Sequence, residues 1–222
     1  MNVPPTSADV EAGQSSYNPV SLRLYDTVVY GLTCPLFWKV PGGALVRMYE
    51  RNISGRHLDI GVGTGRLLDR CAMPVERPRI TLFDLNPHCL AYVSRRLSRY
   101  EVATCRGSVL EPFALPGRSH GSAALNLMLH CVPGDIPAKS VAFDHAAACV
   151  RPGGKLFGST VLSLGVPVTR RARFLLNRFN AVREFSNAKD SLEDLHQQLA
   201  ERFSRYRVTV YGCVALFEAT VE

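Results

Sequence analysis

Between residues 55 and 162, short apolar runs alternate with segments of helical spacing, and that alternation leaves few folds open to the chain. "GRHLDIG" reads as a strand, followed by "TGRLLDRCAM" as a helix with Leu67, Leu68 and Cys71 on one face. "RITLFDL" reads as a second strand. "NPHCLAYVSRRLSRY" is then a helix with Asn86 as its N-cap, Pro87 in its first turn and Leu90, Val93 and Leu97 facing inward. "EVATCRGSV" and "SAALNLMLH" follow as third and fourth strands, "PAKSVAFDHAAACV" as a helix that stops at "RPGG", and "KLFGSTVL" as a fifth strand. Strands joined through helices form a parallel sheet covered on both faces, so an α/β fold is expected.

After Leu162 the order changes. "VPVTRRARFLLNRFNAVREF" has helical spacing, with arginines opposite its apolar face, and marks a helical insertion around residues 163–190. "SLEDLHQQLAERF" opens with a capping box from Ser191 to Asp194, and "SRYRVTVYGCVALFEAT" closes the chain as two strands about Gly212. At the other end, residues 1–16 are small and polar and are expected to be a disordered tail. Residues 17–50 are aromatic and broken by Pro19, Pro35 and Pro41, which predicts a helical cap before a core over 51–222.

At 222 residues the chain suits one sizeable domain. Seven dispersed cysteines without a C-x-x-C pair predict reduced thiols, a cytoplasmic setting and no metal site. No secretory signal is read at the start, and no apolar run approaches the roughly 20 residues of a spanning helix, so no membrane role is expected. The net charge of +7 suits an acidic partner or cofactor, but base composition alone can give such an arginine bias.

The chemistry concentrates in "HLDIGVGTGRLLDRC", residues 57–71, where Gly61, Gly63 and Gly65 stand between strand and helix. Such a turn lets backbone approach a ligand and presents unpaired N–H groups. Dinucleotide sites place a third glycine where this chain has Arg66, which counts against that ligand. Asp84, 23 positions after Gly61, ends the next strand near the ~20-residue spacing of a ribose-binding acid. On these residues alone, a purely structural corner and an acid that merely precedes an N-cap stay open.

With "LNLMLHCVPG" after the fourth strand, "CVRPGGKL" before the fifth and the terminal strand pair, the chain resembles the class I S-adenosylmethionine-dependent methyltransferases of small-molecule type. The resemblance implies a Rossmann-like, seven-stranded, mostly parallel sheet with an antiparallel C-terminal pair and helices on both faces. It implies S-adenosyl-L-methionine as cofactor and S-adenosyl-L-homocysteine as product. Asp59, Gly61, Gly63 and Gly65 would hold the methionine portion, Asp84 the ribose, Leu85 the adenine face, and Ser108 and Val109 its edge. Asn126 and Leu127 would face the sulfonium, and Tyr17 and Tyr25 would close over the cofactor. The family often has an aspartate where Ser108 stands, and an acid common at the start of the fourth strand is here Gly121 or Ser122.

Methyl transfer from a sulfonium chiefly needs alignment, for which proximity supplies about 7–11 kcal/mol. If a general base acts, His130, just past the fourth strand, is the candidate; packing is the alternative reading of this ring. Phe37, Trp38, Phe174 and Phe179 are candidates for lining an apolar acceptor pocket. The expected activity is methylation at O, N or C of a small aromatic or apolar metabolite, as in natural-product biosynthesis, by a monomer or homodimer. Two alternatives stay open: an RNA or protein methyltransferase using the arginine-rich helix, and a cofactor-binding enzyme that transfers no methyl. Nucleic acid is disfavoured because "NLMLH" lacks the proline pair and aromatic that stack an extruded base.

Overall fold

The protein is described by a computed structural model covering residues 26–41 and 43–222. A seven-stranded sheet organises it in the order β3-β2-β1-β4-β5-β7-β6. The strands are β1 (Arg56–Ile60), β2 (Arg79–Asp84), β3 (Glu101–Arg106), β4 (His120–Asn126), β5 (Val150–Val161), β6 (Tyr206–Tyr211) and β7 (Val214–Thr220). β1 to β5 pair in parallel, whereas β7 runs antiparallel to both β5 and β6. The sheet expected from the alternation is the one observed.

Burial on both faces explains the apolar strand centres: Leu58, Ile60, Ala123, Ala124 and Leu125 are all inaccessible to solvent. Helix α1 (Ala44–Asn52) lies against β5, β7 and α2 (Arg66–Arg70), and α3 (Pro87–Arg96) packs on β2 and β3. Asn86 caps α3 by accepting from the His88 N–H at 2.9 Å, as its sequence predicts. The single helix expected over 137–150 divides at Ser140 into α4 (Ile136–Lys139) and α5 (Val141–Cys149). Beyond β5 come α6 (Arg170–Ala181), capped by Thr169, and α7 (Leu192–Ala200). The Ser191 hydroxyl accepts from the Asp194 N–H at 2.9 Å, which completes the capping box.

The insertion between β5 and α7 is fixed from inside. The Lys139 ammonium lies 2.8 Å from Asp190 Oδ2, and neither side chain reaches solvent. The Asn187 amide donates to the Val161 carbonyl at 2.9 Å. A charged pair in a dry interior holds only if its geometry is met, so this clasp sets where the insertion lies. Ahead of α1, Asp26–Trp38 forms a wide helix of π-type winding around Pro35.

Candidate active site

The strand order reverses between β1 and β4, and open parallel sheets leave a crevice at such a point beyond the carboxyl ends of their strands. A cavity lies there, enclosing about 1090 Å3 out to its open mouth. Its wall takes Asp59 from β1, Gly61, Gly63 and Gly65 from the turn, and Asp84 and Leu85 from the end of β2. Ser108 and Val109 follow β3, and Asn126 and Leu127 come from the end of β4. These sequence-predicted residues thus meet around one space.

Gly61, Gly63 and Gly65 all have left-handed backbone, with φ of +69°, +51° and +67°. They do different work. A Cβ at Gly61 would collide with Met128, and one at Gly65 would come 2.6 Å from Val93 Cγ1, so both press against protein. At Gly63 a Cβ would meet nothing within 4 Å. The gap beside Gly63 lies on the cavity wall and admits a ligand against bare backbone.

Asp84 Oδ1 accepts from the Asn86 N–H at 2.8 Å. Burial pushes its carboxyl pKa up to about 6, although the backbone N–H groups of Asn86, Val62 and Gly63 favour the ionised form and act the other way. A carboxylate so enclosed gains from any further donor that reaches it, such as a ribose diol. The adenine-edge loop is tied down separately: the Val109 carbonyl is 3.0 Å from His145 Nδ1, and Phe113 stacks on Phe83 with centroids 4.0 Å apart.

At the end of β4, the Ser159 hydroxyl donates to Asn126 Oδ1 at 2.6 Å. Leu127 follows with φ +49°, a conformation that costs a non-glycine residue about 1–2 kcal/mol. Its N–H bonds the Ser159 carbonyl at 2.8 Å, which helps to hold the strained peptide against the cavity.

Arg66, which stands where a dinucleotide site has glycine, lines the cavity and reaches toward the N-terminal helix. Its guanidinium lies 3.6 Å from Asp26 Oδ2. Arg96 reaches the same oxygen at 2.8 Å, and the Thr64 hydroxyl donates to Asp26 Oδ1 at 2.6 Å. One carboxylate therefore binds the helix to the glycine turn.

Several expected residues fall elsewhere. His130 is 4% exposed and does not line the cavity. Its Nδ1 accepts from the Val161 N–H at 3.4 Å, and Phe185 meets its ring edge-on at 4.4 Å. Burial, with the Lys139 ammonium adding to it, pushes the ring pKa down to about 3. Such an imidazole is a feeble base, and its surroundings are those of the packing alternative. Trp38 and Phe179 pack on Phe185, with centroids 6.3 and 4.8 Å away, and do not line the cavity. Phe37 packs against the same core, and Phe174 is 70% exposed on α6, so neither lines an acceptor pocket here. Tyr17 and Tyr25 lie outside the described residues.

The wall also contains Tyr49 on α1, which no motif announces, and Met128, Cys131, Val132 and Pro133 from the stretch "LNLMLHCVPG" past β4, to which the sequence assigned no role. Burial raises the Cys131 thiol to about 12, so it is protonated at neutral pH. Among the described residues no cluster of three or more metal-ligating side chains occurs, and no helix is long and apolar enough to cross a membrane. An open backbone gap, an enclosed acid on the next strand and an apolar far side together fit a nucleoside joined to an amino-acid chain.

Residues 43–203 match the family model described as a methyltransferase domain. The chain is 46% identical over 207 residues to the demethylluteothin O-methyltransferase of Streptomyces thioluteus, covering 93% of this chain and 90% of that protein. It is 32% identical over 221 residues to the physcion biosynthesis cluster O-methyltransferase of Aspergillus chevalieri, covering 97% of each. Among solved structures, the N-methyltransferase NodS of Bradyrhizobium japonicum, in complex with S-adenosyl-L-homocysteine, aligns with a TM-score of 0.62 at 14% identity. That alignment covers 96% of this chain and 98% of NodS and speaks for the fold.

Proposed function

The chain belongs to the S-adenosylmethionine-dependent methyltransferases of the methyltransferase-domain family, and we propose that it methylates an oxygen of a small, largely apolar or aromatic natural product. The observation that carries the choice of oxygen is the 46% identity to an enzyme acting on demethylluteothin, over nearly the whole of both chains. An apolar acceptor agrees with the wall past β4, where Leu127, Met128, Val132 and Pro133 meet the cavity.

S-adenosylmethionine supplies a methyl group already activated on a sulfonium. The chain's own part is to bind, align and exclude water. In this reading Gly61, Gly63 and Gly65 give the methionine end its bed, with Asp59 beside it. Asp84 accepts from the ribose hydroxyls, Leu85 covers the adenine, and Ser108 and Val109 border its edge. Asn126 and Leu127 would face the sulfonium side, where a fixed approach of the acceptor can supply about 7–11 kcal/mol. The acceptor side offers a protonated thiol, and the nearby imidazole is buried and weakly basic. An acidic hydroxyl, phenolic or enolic, that sheds its proton to water therefore suits it. The seven free cysteines agree with a reducing, cytoplasmic setting, and the enzyme is proposed to work as a monomer or homodimer.

Incubation with methyl-labelled S-adenosylmethionine and demethylluteothin, with the product's methyl position read by NMR, tests the proposal. An O-linked methyl group is expected; label found only on nitrogen or carbon across an acceptor panel would overturn it. The His130→Gln variant is expected to keep the wild-type pH profile of kcat/KM, because the acceptor's own ionisation shapes it. A basic limb lost with His130 would restore that residue to catalysis.

A further inference from the structure

A buried chain of polar groups leads away from the cavity at Asp59. Tyr49 Oη donates to Asp59 Oδ2 at 2.8 Å, and His57 Nε2 lies 3.4 Å from the same oxygen. The other ring nitrogen, His57 Nδ1, is 2.8 Å from the Ser122 hydroxyl, itself 3.0 Å from Ser54 Oγ. Tyr49, His57 and Ser122 are all 2% exposed or less. Residues two apart on a strand share a face, so His57 and Asp59 stand side by side on β1, one inside the core and one on the cavity wall.

The arrangement has a direction. The Ser54 hydroxyl donates to the Arg56 carbonyl and the Ser122 hydroxyl to Ser54 Oγ, so the donor to Asp59 whose direction is fixed is the Tyr49 hydroxyl. It sits on Oδ2, with His57 Nε2 beside the same oxygen, which leaves the lone pairs of Oδ1 for a donor in the cavity. We propose that Tyr49 is a positioning residue that fixes the Asp59 carboxylate for the ammonium group at the amino-acid end of the cofactor. This rests on the cofactor reading given above. Ser122, one of the two positions at which the family often carries an acid, here meets the imidazole from behind.

Tyr49→Phe is a clean probe, since the ring keeps its edge-on contact with Phe157, with centroids 5.0 Å apart, and loses only the hydroxyl. Binding is measured for S-adenosylhomocysteine and for 5′-methylthioadenosine, which keeps nucleoside and sulfur but lacks the amino-acid end. Tyr49→Phe is expected to weaken S-adenosylhomocysteine about tenfold, the lower end of what losing an outer partner of a ligand-holding group costs, and to leave 5′-methylthioadenosine unchanged. Equal weakening of both ligands, or none of either, would reduce Tyr49 to a support of the fold and overturn the proposal. A wild-type protein that binds neither ligand would overturn the cofactor reading itself, a result distinct from any variant effect.

Discussion

Gly63→Asn is expected to abolish detectable binding of S-adenosylhomocysteine while the protein stays folded. Asparagine tolerates left-handed backbone better than other side chains, so φ of +51° imposes little strain on the variant. Its side chain would project into the gap beside Gly63, where nothing of the protein lies within 4 Å, and so into space needed by the ligand. The neighbouring glycine gives the contrast. Gly65→Ala brings a methyl 2.6 Å from Val93 Cγ1 and strains a φ of +67°, which should cost about 2–4 kcal/mol and lower Tm by on the order of 10 °C. Thermal unfolding with and without ligand separates the two outcomes. A Gly63→Asn protein that unfolds as early as Gly65→Ala, or that binds ligand normally, would show that the gap has another purpose.

Asp84→Ala is expected to weaken the same ligand by roughly 100-fold or more. Two hydrogen bonds to an ionised acceptor are worth about 1.5–3 kcal/mol each, and about 1.4 kcal/mol is tenfold in affinity. The wild-type carboxyl, with its pKa near 6, adds a pH signature. Above that pH the carboxylate is ionised and ready to accept from the ribose; below it the proton competes, and affinity should fall. Stability of the free protein moves the other way. The folded pKa is raised above its unfolded value, so this group's favourable contribution is complete below about 4 and is lost as pH rises through about 6. The ligand-induced rise in Tm should therefore shrink between pH 7 and 5. That dependence should vanish in Asp84→Ala; if it persists there, another group is responsible.

Those residues were legible because backbone geometry selected their types. Left-handed turns call for glycine, a strand end beside such a turn suits a carboxylate, and alternating strand and helix patterns fix a parallel sheet. The capping residues Asn86 and Ser191 were legible for the same local reason. His130 shows where this stops. Its place past β4 is clear from the sequence, but whether its ring turns toward the cavity or under Phe185 depends on how the distant insertion packs. The packing of Trp38 and Phe179 is hidden in the same way, since the aromatic they join, Phe185, lies far from Trp38 in sequence. His57 precedes the glycine turn on the same strand as Asp59. Its two-residue spacing from Asp59 was visible, but Tyr49, which meets the same carboxylate, comes from a helix without any motif.

The crevice between β1 and β4 also divides the gene's labour. Most of what would grip the donor is encoded between residues 57 and 109, whereas the opposite wall comes from residues 127–133 and the clasped insertion behind them. Drift in the second stretch can reshape what enters the pocket without disturbing the first. A lineage built this way can inherit its methyl donor unchanged and acquire new acceptors by exchanging one short loop and its support.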